Sequence, residues 1–585
     1  MAKNKCSWIP CFDSRKDLAA FKENAVMLFA LILKFGIDDV VGLASASITD
    51  GGDDKKTDLI HIDTESGFAV IAQTYMAKDW NKKAAPSDKA SDLNTAISWL
   101  LNSSIKDVPE ILRSHAEELR QGIKDGTIKT LYIWYVHNLN ESKNVAKELA
   151  VVEHTARAAI KSNFPEAEPL EIQAVEVGSG TIENWYIALQ RPILVSDEFT
   201  IPIEGGYTLE GPDWKSFATT VPLKWLYEQY GKYKDDIFSA NIRGYLGSRK
   251  SDANINEGIR QTGGTNPGHF WVFNNGITAL VHEFRPEDKS GKPTLWIKGM
   301  SIVNGAQTTG AVGSLDVQPT SAAKVQVRFI VCSSPETIQN IVKYNNSQNK
   351  ITAPDFRSSD PIQTRLMKEF AISSDLEYLA RRGGSIDIKM RKRNTLPSIT
   401  AGQALSALHG QPDVAYHQKS HIWESNSLYA KYFNEHTKAR HVLFAYALLQ
   451  AVEDKKLELM DKYKKGTLKK LEEEQLKYFR MRGSIMLFTS AIASCLEIFL
   501  DKPIPNLFRA AFKDKMTLEK AIEAWQPIVK SSSPFNVQLK DGLLYGLKST
   551  DKVAASINTF RSLIESTKEA NKVIFNAFAN KTTLL

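Results

Sequence analysis

Residues Leu131–Val136 place the firmest limit on what this chain can fold into. The run reads Leu-Tyr-Ile-Trp-Tyr-Val, so both alternating sets of side chains are apolar. A strand with two apolar faces has to be covered on both sides, as happens in the middle of a sheet that carries helices on each face. The run therefore predicts a central, buried strand in an α/β layer.

The segments around this strand favour the same architecture. Strands are predicted at Val40–Thr49, Leu59–Asp63, Phe68–Tyr75 and Leu170–Val177, and helices at about 14–34, 88–101, 109–121 and 143–161. The first helix would open on a capping box of Ser14 and Asp17. The order helix, three strands, helices, strand, helix, strand resembles the αβββαβ core of the PD-(D/E)XK nucleases. That resemblance implies a restriction-endonuclease-like domain over residues 1–195.

The strands Leu59–Asp63 and Phe68–Tyr75 form a candidate hairpin. If it is symmetric about the Glu65–Ser66 bond, paired residue numbers sum to 131 and Asp58 faces Gln73. Directly opposed residues have Cβ atoms about 5 Å apart on one face, so a carboxylate and an amide oxygen could share a divalent cation. Such a metal could activate water and stabilise the charge of a phosphate. A bulge or an asymmetric turn would break this register.

The residues around that pair resemble the Mrr-type branch of the same nucleases. Asp54-Lys55-Lys56-Thr57-Asp58 is followed by Ile71-Ala72-Gln73-Thr74-Tyr75. The resemblance implies that Asp58 and Gln73 ligate Mg²⁺ or Mn²⁺ and that both are catalytic. The branch has lysine two residues after the glutamine, whereas this chain has Tyr75. Lys78 or Lys82 could supply the missing cation from the following segment.

Glu23 is a further candidate for the metal site. It lies in line with Met27, Ala30 and Leu31 at helical spacing, and a carboxylate that heads an apolar stripe is unusual on a core-facing helix. The nuclease resemblance implies a metal-facing glutamate on the first helix. In the alternative reading Glu23 points to water, and Asp58 is an aspartate that caps its strand.

Three polar segments follow one another in the middle of the chain. They are Asn241–Gly247, Phe273–Thr278 and Ile302–Thr309. In this order and spacing they resemble the AIPR family, the abortive-infection phage-resistance proteins of bacteria, over about residues 40–450. The resemblance implies a role in anti-phage defence and names no chemistry.

The third segment has the pattern of a ligand-binding turn. A predicted strand runs into Asn304-Gly305 and a helix follows near Ala306, so free N–H groups would face a phosphate. We expect a nucleotide or nucleic-acid site formed by six residues: Arg243, Asn275, Asn304, Gly305, Gln307 and Thr308. A weaker similarity to ParB-like and DGQHR-type domains favours the same interpretation. The alternative is a buried polar network that fixes the domain.

One basic patch is dense enough to suggest contact with nucleic acid. Six cations lie within thirteen residues: Arg381, Arg382, Lys389, Arg391, Lys392 and Arg393. Such a patch can hold a phosphate backbone. A solvated surface is the alternative. The formal net charge of +7 permits nucleic-acid binding without requiring it.

The rest of the chain indicates organisation rather than chemistry. We predict a central mixed α/β domain over residues 196–400 and a helical domain over residues 401–585, which serves as a scaffold or for homo-oligomerisation. Four scattered cysteines do not form a disulfide framework, and no secretory or membrane-spanning segment is evident. These features fit the cytoplasm.

Together these patterns predict a cytoplasmic defence endonuclease that depends on Mg²⁺ or Mn²⁺. Its central domain would bind nucleic acid, DNA rather than RNA, or a nucleotide, and a phage-derived partner could be the trigger. Because Tyr75 replaces the lysine, a second interpretation is a non-catalytic sensor that acts through a partner. A third is a nucleotide-dependent switch centred on Asn304–Thr309.

Overall fold

The architecture is that of a computed structural model of the chain. It describes residues 6–49, 51–167, 170–190, 193, 195–233, 237–239, 267–289, 291–313, 315, 317–320, 322–345, 357, 360–380, 394–513, 515–544 and 546–585. The described chain is mixed α/β, with several sheets and a mainly helical C-terminal region. In these ranges no helix is both long enough and apolar enough to cross a membrane.

The N-terminal region contains a four-stranded sheet between two layers of helices. Its strands are β1 (Leu59–Asp63), β2 (Phe68–Tyr75), β3 (Thr130–His137) and β4 (Glu171–Val177). Its helices are α1 (Trp8–Ser14), α2 (Lys16–Ala19), α3 (Ala25–Phe35), α4 (Val40–Ser47), α5 (Ser87–Ser91), α6 (Leu93–Ile97), α7 (Glu110–Lys124), α8 (Lys143–Asn163) and α9 (Ser179–Gln190).

The strand order is β1-β2-β3-β4, with β1 antiparallel to β2 and the other neighbours parallel. Every residue of β3 is buried. One set of its side chains, including Leu131, packs under α5–α8, and the other set, including Trp134, packs against α3 and α9. The prediction of a central strand with two apolar faces is confirmed.

The strand predicted at Val40–Thr49 is wrong, because those residues form α4. The side chain of Asp39 caps this helix by accepting a hydrogen bond from the N–H of Gly42 at 2.9 Å. Small residues such as Ala44 let the helix pack closely against the helical region. Of the predicted strand, a single bridge between Ile48 and Leu59 remains.

The single helix predicted over residues 14–34 is also wrong. Ser14 ends α1 and donates its hydroxyl hydrogen to the carbonyl of Cys11 at 2.7 Å, so it opens no capping box. The chain then passes through α2 and a 3₁₀ turn at Lys22–Asn24 before α3 begins. Asp17 forms an ion pair with Arg15 instead.

The central region contains a seven-stranded sheet within the described residues. Its strands are β5 (Val195–Pro202), β6 (Gly206–Glu210), β7 (Trp214–Pro222), β8 (Ile277–Leu280), β9 (Glu283–Lys289), β10 (Lys292–Asn304) and β11 (Lys324–Cys332). Their order is β5-β10-β8-β11-β7-β6, and β9 also pairs with β10. The helices are α10 (Leu223–Tyr233), α11 (Phe270–Phe273), α12 (Ala306–Gly313), α13 (Pro335–Asn345) and α14 (Pro361–Ser373).

The C-terminal region is almost entirely helical. Its longer helices are α15 (Ser398–Leu408), α16 (Pro412–His417), α17 (Asn426–Tyr432), α18 (Ala439–Lys464), α19 (Lys470–Phe479), α20 (Ser484–Ser494), α21 (Leu518–Ser532), α22 (Thr550–Ser566) and α23 (Lys572–Lys581). Helix α18 is its centre and packs against α15, α20 and α21. It also contacts α4, so the N-terminal region lies directly against the helical one.

Candidate functional site

The hairpin of β1 and β2 has the register that the sequence predicts. Asp63 pairs with Phe68 and Leu59 with Ala72, and the ladder ends there, one residue after Asp58 in the chain and one residue before Gln73. The backbone N–H of Asp58 donates to the carbonyl of Ala72 at 3.0 Å. Its side-chain Oδ2 accepts a hydrogen bond from the N–H of Thr74 at 2.6 Å. The carboxylate is therefore held against the backbone of β2 at Thr74, as in the alternative of an aspartate that caps its strand.

Gln73 is only 4% exposed, and its side-chain Oε1 is buried without a hydrogen-bond partner. The residue opposite it on the parallel strand β3 is Tyr135, whose hydroxyl is also buried without a partner. Burial, and next the nearby Tyr75, raise the pKa of Tyr135, so its hydroxyl stays neutral. Buried polar atoms normally have partners, so this pair marks a place where a bound group could satisfy them.

The donor set at this place suits a hard divalent cation. An amide oxygen from Gln73 and a carboxylate from Asp58 are oxygen ligands of the kind that Mg²⁺ and Mn²⁺ take. One carboxylate oxygen can accept from Thr74 and still leave lone pairs free. In the described ranges, no group of three or more His, Cys, Asp or Glu side chains could hold a metal ion. A metal here would thus depend on the glutamine and on water.

The cations near this face differ from those that the sequence analysis singles out. Lys78 is exposed after the end of β2, and Tyr75 is half-buried on the same face as Gln73. Lys56 forms an ion pair with Asp92 at 3.2 Å, and Asp92 is among the charges that act on Tyr135. Lys56 is therefore a further lysine, beside Lys78, that could supply positive charge near this sheet face.

Glu23 lies on the 3₁₀ turn Lys22–Asn24, which packs against β2. It is exposed on the 3₁₀ turn and lines an open groove of about 800 Å³ with Asp17, Asp38 and Asp461. Neither Asp58 nor Gln73 is among the residues that line this groove. The metal-binding role predicted for Glu23 has no contact to support it.

A histidine–glutamate pair lies at the same edge of the sheet, where β3 and β4 end. His137 Nδ1 accepts a hydrogen bond from the N–H of Leu139 at 3.3 Å, so the ring proton is on Nε2, which donates to Glu176 at 3.0 Å. Both oxygens of Glu176 also accept from the N–H of Ser142, at 3.1 and 3.0 Å. The pair braces the loop into α8. Sequence alone could not find it, because it depends on the parallel register of two distant strands.

In the central sheet, the strand order brings two of the polar segments together. β10 runs antiparallel to β8, so Asn304 at its end lies opposite Thr278 near the start of β8. Gly305 (φ +95°) and Gly276 (φ +83°) adopt left-handed backbone conformations that make the two turns. Asn274 donates from Nδ2 to the hydroxyl of Thr308 at 3.2 Å, which ties the turns to each other.

A second set of hydrogen bonds extends this cluster into the neighbouring strand. Arg328 on β11 donates to the hydroxyl of Thr278 at 2.8 Å and to Oδ1 of Asn345 at 2.9 Å. The side chain of Thr309 is buried and donates to the carbonyl of Gly305 at 2.9 Å. These contacts fit the polar network that the sequence left as an alternative. Arg328 was missed because nothing near it in sequence resembles a motif.

The surface beside this cluster carries exposed groups that could contact a ligand. Asn275 is exposed, and so are Trp271, four residues before it, and Phe273, two residues before it, which is 71% exposed. His269 stacks on the ring of Phe273, with centroids 5.6 Å apart. Of the other residues predicted for this site, Asn304 is half-buried. The other predictions for the central region lie outside the described residues. They are Arg243, the side chain of Gln307 and the basic patch of Arg381, Arg382, Lys389, Arg391, Lys392 and Arg393.

Comparison with known proteins decides the family. The family model described as AIPR protein matches residues 238–540, just over half of the chain. The chain belongs to the AIPR family. No curated protein and no solved structure matches it. The AIPR match covers the central cluster and much of the helical region, and it leaves the hairpin of Asp58 and Gln73 outside.

Proposed function

We propose that this AIPR protein acts in anti-phage defence as a metal-dependent endonuclease, with its metal site at Asp58 and Gln73. The AIPR match is consistent with an abortive-infection role, and the hairpin of β1 and β2 would supply the chemistry. The central region would bind nucleic acid, DNA rather than RNA, and control the N-terminal site.

The observation that carries the proposal is the buried side-chain oxygen of Gln73, which has no hydrogen-bond partner. A buried polar atom left unsatisfied costs about 1–3 kcal/mol, and a bound cation would remove that cost. The neighbouring carboxylate of Asp58 is held in place by Thr74, so the oxygen ligands are fixed before the metal arrives. When bound, Mg²⁺ or Mn²⁺ would lower the pKa of a coordinated water and stabilise charge on a phosphate.

The chain's own side chains would do the rest. Tyr135 presents a neutral hydroxyl beside Gln73 and can orient a water or a phosphate oxygen by hydrogen bonding. Lys56 would supply the positive charge that Tyr75 lacks, once a phosphate competes with Asp92 for its ammonium group.

Cleavage of plasmid DNA and of total RNA tests the proposal, each with Mg²⁺, with Mn²⁺ and with EDTA. Wild type is compared with Asp58→Ala and with Asp53→Ala, which removes an exposed carboxylate from the same loop. We expect metal-dependent cleavage by wild type and Asp53→Ala and at least about a hundredfold loss in Asp58→Ala, in line with the large contribution of metal-activated water. Equal inactivity of all three proteins, or equal activity, would reject the site.

A second candidate function is a non-catalytic sensor of nucleic acid or nucleotide in the central region. Tyr75 at the lysine position favours it, and so do the exposed aromatic rings of Trp271 and Phe273 beside the polar cluster. Stacking of one base on one such ring contributes about 1–3 kcal/mol. Single-stranded DNA should then bind Phe273→Ala at least about fivefold more weakly than wild type. Ile372→Ala is the matched control, because Ile372 is equally exposed at 71%.

A further inference from the structure

A cavity of about 250 Å³ lies where the N-terminal region meets the helical region. From the N-terminal side it is lined by β1, α4 and α7, and from the helical side by α16, α18 and the turn after α19. Its charged and polar lining includes His115, Lys456, Arg480, Arg482, Asp39 and Glu453. The cavity plays no part in the proposed metal site, since neither Asp58 nor Gln73 lines it.

Two buried side chains at one end of the cavity each carry a polar group without a hydrogen-bond partner. Lys456 is 6% exposed, and its ammonium group makes no hydrogen bond or ion pair to any described residue. His115 is 3% exposed, and its Nδ1 has no partner, whereas its Nε2 lies 3.2 Å from the carbonyl of Ala46. Because a carbonyl can only accept, the ring proton is on Nε2, and Nδ1 is a free acceptor.

The other charges of the lining are mostly already neutralised. Arg482 forms an ion pair with Glu118 at 2.7 Å, and Lys419 forms one with Asp63 at 3.3 Å. Arg480 stacks on the ring of Tyr463 at 4.4 Å and has no carboxylate partner among the described residues. Lys456 and Arg480 are therefore the cations left uncompensated.

The carboxyl groups nearest to Lys456 do not cancel this charge. Burial raises the pKa of Glu453 well above its ordinary value, and the neighbouring Asp39 raises it further. Burial also raises the pKa of Asp39, although its hydrogen bonds to Gly42 and Thr400 oppose the change. Burial therefore favours the neutral form of Glu453, and its carboxyl group forms no ion pair with Lys456 among the described residues.

We propose that this cavity binds a small oxyanion that carries a hydroxyl group, namely hydrogen phosphate or the phosphate of a mononucleotide. Lys456 and Arg480 would donate hydrogen bonds to its oxygens. Nδ1 of His115 would accept the P–OH hydrogen, which sulfate cannot supply. Because the ligand would contact α7 and α18 together, its binding holds the two regions in one arrangement.

The titration of Lys456 agrees with this site. Burial, followed by Arg482 and Arg480, lowers the pKa of Lys456 to about 7, and Glu453 opposes the shift. Burial also lowers the pKa of His61 to about 4 and that of His115 to about 3, so both rings stay neutral between pH 6 and 8. Although burial opposes it, the neighbouring Arg482 holds the pKa of Glu118 below its ordinary value, and Glu118 in turn keeps Arg482 protonated. Lys456 is thus a lining group that changes charge in that range.

Isothermal titration of the full chain with inorganic phosphate, at pH 6.5 and constant ionic strength, tests the proposal. Loss of a charge-assisted hydrogen bond costs about 1.5–3 kcal/mol, so Lys456→Met should bind phosphate at least about tenfold more weakly than wild type. Lys455→Met is the control, because Lys455 is the buried neighbour on the same helix and its ammonium pairs with Glu458 at 3.0 Å. It should bind as wild type does. Unliganded Lys456→Met should melt no lower than wild type, since it removes an unpaired buried cation.

Two further arms identify the ligand. Sulfate, which has no hydroxyl group, should bind wild type more weakly than phosphate, and raising the pH from 6 to 8 should weaken the sulfate complex about tenfold as Lys456 loses its proton. Adenosine monophosphate is tested in the same way. If it binds wild type more tightly than phosphate does, and does not bind Lys456→Met, the oxyanion is the phosphate of a nucleotide. Phosphate binding that is absent from wild type, or equal in wild type and folded Lys456→Met, would overturn the proposal.

Discussion

The ion pair of Glu118 and Arg482 should be a main source of stability at the boundary between the N-terminal and helical regions. Arg482 donates from Nε to Glu118 Oε2 at 2.7 Å, from a second nitrogen to Oε1 at 3.3 Å, and from a third to the carbonyl of Ala46 at 3.0 Å. The hydroxyl of Tyr416 donates to the same carboxylate at 2.7 Å. One carboxylate on α7 thus satisfies groups from another helix, α16, and from the turn after α19.

Replacing Glu118 with glutamine leaves the guanidinium of Arg482 buried without a counter-ion. Breaking a buried ion pair from one side costs about 3–5 kcal/mol, whereas loss of one hydrogen bond to a charged group costs about 1.5–3 kcal/mol. We therefore expect Glu118→Gln to lower the free energy of unfolding by about 3–5 kcal/mol and Tyr416→Phe to lower it by about half as much. Glu117→Gln is the matched control, because Glu117 is the exposed neighbour on α7 and should change stability by under about 0.5 kcal/mol.

Urea denaturation followed by far-UV circular dichroism and by tryptophan fluorescence gives the measurement. The double variant Glu118→Met with Arg482→Met should recover much of the loss, because no charge then remains buried without its partner. A loss of unfolding free energy below about 1 kcal/mol in Glu118→Gln would refute the reasoning. So would a double variant whose loss of unfolding free energy exceeds the sum of the losses in the two single variants.

Three other perturbations have defined outcomes. Gln73→Leu should unfold at a urea concentration equal to or above that of wild type, because it removes an unsatisfied buried oxygen, and a lower midpoint would show that the amide has a partner. Gly305→Ala should lower the melting temperature more than Gly291→Ala, since both have positive φ but only at Gly305 would the new Cβ lie 2.7 Å from a side-chain carbon. Although burial opposes ionisation, Lys419 holds the pKa of Asp63 below its ordinary value. The stability from Asp63 is therefore present above pH about 4 and lost as pH falls below it, and Lys419→Met should flatten that acid limb of a stability–pH curve.

Features set by local pattern could be predicted from sequence. The hairpin register follows from a short turn between two apolar runs, so the pairing of Asp63 with Phe68 is correct to the residue. The buried strand Leu131–Val136 is equally clear, because its two apolar faces leave no other place for it.

Features set by tertiary contact could not be predicted. Val40–Ser47 reads as a strand, yet the cap from Asp39 and close packing on α18 make it a helix. Tyr135 meets Gln73 only through parallel pairing across three intervening helices. Arg328 joins the central cluster through the strand order, which no short segment encodes. Long-range pairing is the information that a single sequence does not display.

Whether the hairpin of β1 and β2 holds a metal ion decides whether Asp58 and Gln73 form an active site. Binding of Mn²⁺, followed by electron paramagnetic resonance on the full chain, tests this without any assumption about the nucleic-acid substrate. We predict one saturable Mn²⁺ site in wild type and in Asp53→Asn, and its loss in both Asp58→Asn and Gln73→Leu, with all four proteins folded. An Mn²⁺ titration of Gln73→Leu that cannot be distinguished from that of wild type would contradict the account.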